Sequence, residues 1–212
     1  MNLTDLRREY TKAGLRRADL DPDPIAQFQK WFEQALAAQL LEPSAMTLAT
    51  AGADGRPSAR TVLLKGIEER GFVFFTNYES RKGCELAVNP RAALVLHWAE
   101  LERQVCVAGD VTKVARADSE KYFALRPRGS QLGAWISKQS SIVPDRAFLE
   151  ARLEEAEERF ANRDVEAPPY WGGYLLTPVR LEFWQGRPNR LHDRFQYTRA
   201  VNGSWHIDRL SP

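Results

Sequence analysis

The chain has 212 residues, of which 43% are hydrophobic and 27% are charged, a composition that predicts a single domain with a substantial core. The 30 Lys and Arg residues nearly balance the 28 Asp and Glu residues, so the formal net charge of +2 gives no global attraction to nucleic acid or to a membrane surface. Two cysteines, Cys84 and Cys106, match no disulfide framework or zinc site, and neither a signal peptide nor a transmembrane helix is predicted, which favours a cytoplasmic protein.

Residues 1–22 are charged and irregular, and they are predicted to form an arm that precedes a single domain at residues 23–212. Asp23 can cap the first helix, Pro24 suits its first turn, and apolar residues then recur at helical spacing. Helices are predicted at residues 23–40, 80–90, 117–127, 130–137 and 145–162. The inner face of the last helix is expected to carry Phe148, Leu149, Leu153, Ala156 and Phe160.

Between these helices the apolar residues alternate with a period of two, which is typical of strands. Strands are predicted at residues 45–50, 58–67, 71–77, 91–98, 103–114, 172–186, 193–200 and 203–210. Because most of them are neighbours in sequence, an antiparallel sheet is expected, and closure into a barrel would remove its edges. The chain lacks both the alternation of strands with helices and the GxGxxG motif of a parallel, dinucleotide-binding sheet. The predicted fold class is therefore mainly β, with surrounding helices.

Three clusters combine basic residues with hydroxyl groups, and the first is the strand at residues 60–65. One face of this strand carries Arg60, Val62 and Leu64. The other face carries Thr61, Leu63 and Lys65. A charge at each end of an apolar strand is typical of a sheet rim, so this segment taken alone favours a structural role.

The second cluster is the start of the predicted helix at 80–90, where Ser80, Arg81 and Lys82 follow Thr76. A helix N-terminus presents unpaired N–H groups and the positive end of the helix dipole, so it favours anions. Basic residues at that end oppose the dipole unless an anion lies between them. The pattern therefore favours a phosphate site over a plain helix cap.

The third cluster begins with Tyr122 and Arg126, which lie four residues apart in a predicted helix and so share one face. Ser130, Gln139 and Ser140 follow it, and hydroxyl and guanidinium groups bind phosphate well. Together the three clusters predict two anionic sites, one for a nucleotide-like cofactor and one for a phosphorylated substrate.

The histidines are too scattered to form a metal site, and no metal is predicted. His97 lies in an apolar strand and is expected in the core, whereas His206 is given no role. His192 with Asp193 lacks the nucleophile elbow that a catalytic triad of the hydrolase type would need. No pair of carboxylates for acid–base catalysis is evident.

Several of these motifs occur together in a known order: RTVLLK, SRKG, ERQVCVAG, YFALRPRGSQLGAWISKQSS and LEFWQGRPNRLHDR. In this order and spacing they resemble the pyridoxine (pyridoxamine) 5′-phosphate oxidase family, over essentially the whole chain. The resemblance implies a homodimeric split β-barrel that binds FMN (flavin mononucleotide) at the subunit interface. The segment RPNRLHDR, residues 187–194, would then contact the substrate on one side and the cofactor on the other.

The resemblance also implies site residues by position. The FMN contacts would be Arg60, Thr61, Val62, Leu63, Leu64, Lys65, Phe75, Thr76, Arg81, Lys82, Gln104, Gln139, Ser140, Trp184 and Arg194. Of these, Gln139 and Ser140 would come from the second subunit. The substrate contacts would be Arg7, Tyr10, Lys65, Tyr122, Arg126, Ser130, Arg190 and His192. Arg190 and His192 would orient the pyridine ring for catalysis, and Arg7 and Tyr10 would belong to a mobile arm that closes over the site.

The implied reaction is the oxidation of pyridoxamine 5′-phosphate and pyridoxine 5′-phosphate to pyridoxal 5′-phosphate, with O2 reduced to H2O2. Neither nucleic acid nor a membrane is expected as a partner. Two alternatives remain open at this stage. One is a related FMN oxidoreductase of another ring substrate, such as a phenazine precursor, and the other is a non-catalytic carrier of FMN or pyridoxal 5′-phosphate.

Overall fold

Strands dominate the computed structural model, which describes residues 9–212. The strands of this part of the chain are β1 (Ala45–Ala51), β2 (Pro57–Leu63), β3 (Gly66–Glu68), β4 (Gly71–Asn77), β5 (Arg91–Trp98), β6 (Arg103–Lys113), β7 (Trp171–Gln185), β8 (Asp193–Arg199) and β9 (Trp205–Leu210). Its α-helices are α1 (Pro24–Ala37), α2 (Arg81–Val88), α3 (Arg116–Ala124), α4 (Arg128–Ile136) and α5 (Arg146–Arg159).

The strands form one antiparallel sheet in the order β2-β1-β5-β6-β7-β4-β3, and β8 and β9 extend it from β7. The first half of β7 pairs with β4 and its second half pairs with β8. The sheet curls until β2, at one end of the order, contacts β4 near the other end. The prediction of a mainly β, antiparallel and barrel-like fold is confirmed.

Helix α1 packs against the curled sheet, and its start follows the predicted signals. The carboxylate of Asp23 accepts a hydrogen bond from the Ile25 backbone N–H at 2.9 Å, and Pro24 occupies the first turn. Phe28 and Trp31 point from this helix into the core, where their rings meet Phe72 and Phe183 edge to face. The helix therefore contributes large aromatic side chains to the barrel core.

The single strand predicted at 58–67 is wrong, because the chain changes neighbours in its middle. The Leu64 N–H donates to the Ser44 carbonyl, on the side of β1, whereas the Lys65 N–H donates to the Val73 carbonyl of β4. Strand β2 accordingly ends at Leu63 and β3 begins at Gly66. This break is the corner at which the sheet turns.

Three other expectations need correction. Helix α3 ends at Ala124, so Arg126 lies in the connection to α4 and not on one helix face with Tyr122. His97 is exposed, because the alternation of β5 points Leu96 and Trp98 inward and leaves His97 on the outer face. Phe148, expected on the inner face of α5, is 41% exposed because it lies in the first turn of that helix.

The hydrophobic residues form two clusters. The larger one fills the curled sheet beneath α1, and the smaller one packs α3, α4 and α5 against the start of β7 through Phe123, Leu132, Phe160 and Trp171. Phe75 of β4 and Tyr122 of α3 lie at the edge of the smaller cluster. The helical layer is thereby fixed to the sheet at the place where the candidate site opens.

Gly83 allows α2 to lie directly on the preceding chain. A Cβ atom at this position would lie 2.1 Å from the backbone carbonyl oxygen of Tyr78, a contact that no side-chain rotation can relieve. We expect Gly83→Ala to lower the free energy of unfolding by about 3 kcal/mol, at the upper end of overpacking costs. Chemical denaturation measures this, and Gly133→Ala in α4 is the control, since its Cβ would meet nothing within 4 Å. That control should stabilise the protein slightly, and equal effects of the two variants would contradict the packing argument.

Candidate active site

A cavity of about 790 Å³ opens between β2, the end of β4, the start of α2 and the α3–α4 connection. Most of the predicted cofactor and substrate residues line it. They are Arg60, Thr61, Val62, Leu63, Lys65, Phe75, Thr76, Arg81, Lys82, Tyr122, Arg126, Ser130, Gln139 and Ser140. Of the segment 60–65, Leu64 alone is missing from the lining, because its side chain is buried in the main core. The structure thus brings the three clusters found in the sequence into one cavity.

Lys82 is the buried cation at the floor of this cavity, with only 7% of its surface exposed. Its Nζ donates to Thr76 Oγ1 at 3.2 Å, Ser80 Oγ at 3.1 Å and Gln139 Oε1 at 2.5 Å, all neutral oxygens. Burial, and then the charge of Arg60, lower the pKa of Lys82 to about 8, against an opposing effect of Glu85. The ammonium group lacks a full counter-charge nearby, so an anion in the cavity would stabilise it.

Gln139 and Ser140 reach the cavity from the same chain as Lys82. Gln139 Oε1 accepts a hydrogen bond from Lys82 Nζ, and Ser140 Oγ accepts one from the backbone N–H of Arg81 at 3.2 Å. The expectation that these two residues come from a second subunit is therefore wrong. The connection after α4 returns to the start of α2, and Ser140 takes a positive φ of 76° there.

The opposite wall of the cavity is aromatic. The rings of Phe75 and Tyr122 stack with centroids 4.0 Å apart, and Trp171 stacks on Phe75 at 5.4 Å. The guanidinium group of Arg126 lies 4.8 Å from the centre of the Trp171 ring, a cation–π distance. Trp171 was missed in the sequence, where nothing distinguishes it from a core residue at the start of a strand.

Arg126 carries the one buried side-chain polar atom without a hydrogen-bond partner among the described residues, its Nη1. Burial lowers the pKa of Arg126 below its usual value, although a guanidinium group stays charged in water at all ordinary pH values. An unpaired buried donor on a charged group is costly, and such atoms in native proteins usually mark a missing ligand or water. Since Lys65, Tyr122 and Ser130 line the same cavity, this end suits a second anion.

Six further predicted residues lie elsewhere, at the far end of β7. The rings of Tyr10, Trp184 and His192 form a cluster, with centroids 4.7 Å apart for Trp184 and His192 and 5.5 Å from Tyr10 to each. Gln104 and Arg194 flank Trp184 on the neighbouring strands β6 and β8. We call these residues, together with Arg190, the β7-end cluster.

His192 is held in a defined state within this cluster. Its Nδ1 accepts a hydrogen bond from the backbone N–H of Arg187 at 3.1 Å, so the neutral ring carries its proton on Nε2. Burial, and then the charges of Arg190 and Arg194, lower the pKa of His192. At neutral pH this ring therefore offers a hydrogen-bond donor and no positive charge.

Arg190 and Arg194 are positioned by different means. Arg190 and the preceding Asn189 have positive φ values of 60° and 56°, a conformation that costs energy for residues other than glycine and turns the exposed Arg190 outward. Arg194 makes a two-point contact with Glu182, with Nε–Oε1 at 2.7 Å and Nη2–Oε2 at 3.1 Å. Strained backbone occurs often at functional sites, and the ion pair fixes the orientation of the Arg194 guanidinium group.

The N-terminal segment lies on the β7-end cluster. Glu102 accepts hydrogen bonds from the N–H groups of Thr11 and Lys12 at 2.9 and 3.0 Å, and Asp193 accepts one from Leu15 at 3.0 Å. These contacts place Tyr10 against Trp184 and His192. Arg7, the other arm residue predicted to bind substrate, lies outside the described residues.

The cavity and the β7-end cluster are too far apart to serve one small molecule within a single chain. Phe75 pairs with Gly173 near the start of β7, whereas Trp184 lies near its end. Eleven positions separate Gly173 from Trp184, which corresponds to roughly 35 Å along an extended strand. A site that used both groups would need a second copy of the chain.

The sequence matches two family profiles in tandem. One, described as pyridoxamine 5′-phosphate oxidase, matches residues 32–160, and the other, described as the pyridoxine 5′-phosphate oxidase C-terminal dimerisation region, matches residues 171–212. A protein of Burkholderia cenocepacia (strain HI2424) named pyridoxine/pyridoxamine 5′-phosphate oxidase is 59% identical, with 99% of each chain covered. One of Nostoc punctiforme with the same name is 57% identical, with 99% of this chain and 98% of that protein covered.

Solved structures give the same fold. The structure of PhzG from Burkholderia lata 383, in complex with tetrahydrophenazine-1-carboxylic acid, superposes with a TM-score of 0.87 at 33% identity, covering 92% of this chain and 95% of the other. A pyridoxamine 5′-phosphate oxidase-related, FMN-binding protein from Nostoc punctiforme gives a TM-score of 0.71 at 20% identity, covering 91% and 98%, which supports the fold alone. Among residues 9–212, no helix is long and apolar enough to cross a membrane.

Proposed function

The chain belongs to the pyridoxamine 5′-phosphate oxidase family, and on this premise we propose that it oxidises pyridoxamine 5′-phosphate and pyridoxine 5′-phosphate to pyridoxal 5′-phosphate. The observation that carries the proposal is the buried, unpaired Nη1 of Arg126 at the aromatic end of the cavity. This atom supports a site for the substrate phosphate that is separate from the cationic floor around Lys82. Two anion sites in one cavity fit a phosphorylated cofactor and a phosphorylated substrate.

The residues of the cavity floor fit FMN as the cofactor. Arg60, Arg81 and Lys82 provide positive charge for its phosphate, and the incompletely compensated Lys82 is an independent sign of a missing anion. The other proposed contacts in the cavity are Thr61, Val62, Leu63, Lys65, Phe75, Thr76, Gln139 and Ser140. When bound there, FMN supplies the two-electron redox chemistry. The protein supplies binding, orientation and the electrostatic environment.

The substrate phosphate would lie among Lys65, Tyr122, Arg126 and Ser130. Three of these side chains donate hydrogen bonds through a charged or phenolic group, and the guanidinium group of Arg126 can form the two-point contact that a phosphate favours. The Trp171 and Phe123 rings hold that guanidinium group in place from behind. This end of the cavity thereby anchors one end of a small, flat substrate.

The other end of the substrate would be held by the β7-end cluster of a second copy, in a homodimer. The match to a C-terminal dimerisation region over residues 171–212 supports this arrangement, since that region contains Trp184, Arg190, His192 and Arg194. Gln104, Trp184 and Arg194 would complete the cofactor site across the interface. Arg190 and His192 would orient the pyridine ring, and Tyr10 with Arg7 would cover it.

The residues of this site act by positioning and by hydrogen bonding. In the overall reaction, water and O2 convert pyridoxamine 5′-phosphate to pyridoxal 5′-phosphate, ammonia and H2O2. Neutral His192 donates from Nε2 to an acceptor on the substrate ring, while Arg190 contributes a fixed charge beside it. Fixing both ends of the substrate restricts it to reactive orientations, which is a large source of rate enhancement.

A second function is favoured by one observation, the similarity to PhzG with a bound tetrahydrophenazine carboxylic acid. A phenazine precursor of this kind carries a carboxylate in place of the phosphate, and a carboxylate can also pair with the guanidinium group of Arg126. Measuring turnover on phosphorylated pyridine substrates and on such ring acids distinguishes the two reactions.

The test of the proposed function is to mix FMN-loaded protein with pyridoxamine 5′-phosphate in air and to follow pyridoxal 5′-phosphate and H2O2. We expect both products in equal amounts, and none with unphosphorylated pyridoxamine. A yellow protein that is inert towards both the amine and the alcohol phosphate would instead point to a carrier of FMN.

A further inference from the structure

Glu85 lies beneath the cationic floor of the cavity, where α2 packs on β1 and β2. We propose that Glu85 is a positioning residue that fixes Arg60 and Arg81 in the orientation that binds the phosphate of the flavin cofactor, an inference that rests on the proposed function. Glu85 was not among the residues expected from the sequence. It belongs to α2 and lies one helical turn after Arg81.

Four groups converge on its carboxylate, whose side chain is only 11% exposed. Oε2 accepts from Thr50 Oγ1 at 2.5 Å and Ser58 Oγ at 2.6 Å, and it lies 3.5 Å from Arg60 Nη2. Oε1 accepts from Arg81 Nε at 2.9 Å. One carboxylate thus connects two strands, one helix and both arginines of the floor.

The charge of Glu85 sets the direction of the hydrogen bonds around Arg60. An ionised carboxylate only accepts, so the single proton of each hydroxyl, on Thr50 and Ser58, points to Glu85. The lone pairs of both hydroxyls are then available to accept from Arg60, whose Nη1 contacts Thr50 at 2.6 Å and whose Nη2 contacts Ser58. An amide at position 85 keeps the shape but can donate, and it would remove this fixed direction.

Glu85 binds one nitrogen of the Arg81 guanidinium group and leaves the two terminal nitrogens available for a ligand. Arg81 Nε is the atom bound to Glu85, and among the described residues its two terminal nitrogens have no hydrogen-bond partner. The side chain lines the cavity and is 64% exposed. Without Glu85, this long side chain would occupy many rotamers, and ordering it would oppose ligand binding.

The ionisation of Glu85 is consistent with this role. Burial alone would raise its pKa, but the hydroxyls of Ser58 and Thr50, the Arg81 guanidinium and the charge of Arg60 together lower the pKa of Glu85 to about 2. The carboxylate is therefore charged at every pH at which the protein would work. A negative charge beside a phosphate site also repels the ligand, so the sign of a mutational effect decides between positioning and repulsion.

The experiment compares FMN with riboflavin, which lacks the phosphate, in titrations of the flavin-free protein followed by flavin fluorescence. Because Glu85 acts on the phosphate-binding arginines, Glu85→Gln should raise the Kd for FMN by about tenfold and leave the Kd for riboflavin within about twofold. Glu150→Gln is the matched control. In α5, outside the cavity, Glu150 pairs with Arg146 at the same four-residue spacing and the same 2.9 Å distance. Removing this pair should change neither the Kd for FMN nor the Kd for riboflavin.

Thr50→Val is a second variant that keeps the carboxylate and removes one of its hydroxyl contacts. It should show the same selective loss for FMN, smaller in size, and it tests the network even if Glu85→Gln folds poorly. An unchanged or lower Kd for FMN, or an equal loss for both flavins, would overturn the positioning role. If the wild-type protein itself binds FMN no better than riboflavin, the proposed phosphate site fails, which is a distinct outcome.

Discussion

Replacing Arg126 by Met is expected to lower kcat/KM for pyridoxamine 5′-phosphate by about 100-fold or more, mainly through KM. The cause is the loss of a half-buried guanidinium group whose buried Nη1 has no partner among the described residues and is free for a phosphate. The flavin content of the protein should stay the same. The stability of the substrate-free protein should stay the same or rise, because a buried hydrogen-bond donor without a partner disappears.

Arg128→Met provides the matched control two residues away. Arg128 donates from Nη2 to the Phe160 carbonyl at 2.6 Å and from Nη1 to the Arg163 carbonyl at 3.2 Å, so it connects α4 to the end of α5. Its loss should lower the melting temperature and leave KM nearly unchanged. Steady-state kinetics and thermal unfolding of both variants test whether KM changes only in Arg126→Met and the melting temperature falls only in Arg128→Met. An unchanged KM in Arg126→Met would contradict the proposed phosphate site.

The second large effect is expected at the β7-end cluster, where His192→Ala or Arg190→Ala should lower kcat by about 100-fold with little loss of bound FMN. These two side chains are proposed to orient the pyridine ring, and lost orientation reduces turnover more than cofactor binding. Arg60→Ala should do the reverse, since Arg60 lies on the cavity floor. Absorbance of the purified proteins gives flavin content, and product formation gives kcat.

His206→Ala is the control for this pair, because His206 is exposed on β9 and its ring hydrogen-bonds to Asp208, outside the cavity and the β7-end cluster. It should change neither flavin content nor turnover. Equal flavin loss in His192→Ala, Arg190→Ala and Arg60→Ala would contradict the division of roles between the cavity floor and the β7-end cluster.

Local rules predicted the parts of the fold that depend on neighbours in sequence. The cap at Asp23 and the two-residue period of the strands are such signals, and both are confirmed. The break after Leu63 was missed, since successive N–H groups bond to different strands there and no composition change marks it. His97 was misplaced because an apolar strand of this sheet has one inward and one outward face.

The candidate site was predictable where several basic and hydroxyl residues occur together, as around Lys82 and Arg126. Glu85 was missed because an Arg–Glu pair four residues apart is also the usual pattern of a solvated helix surface. Only the hydrogen bonds from Thr50 of β1 and Ser58 of β2 to its carboxylate distinguish Glu85 from a solvated helix residue. The need for a second copy was implied by resemblance, and its physical reason is the length of β7, which no motif reveals.

The most direct test of the composite oxidase site is complementation between two impaired variants. Arg126→Met damages the cavity, and His192→Ala damages the β7-end cluster. In a mixed dimer, one of the two sites would combine an intact cavity with an intact cluster. After subunit exchange, equal amounts of the two variants should regain about a quarter of wild-type activity on pyridoxamine 5′-phosphate, since half of the dimers are mixed and each has one intact site. A mixture that is no more active than the average of the two variants would contradict a site shared between subunits.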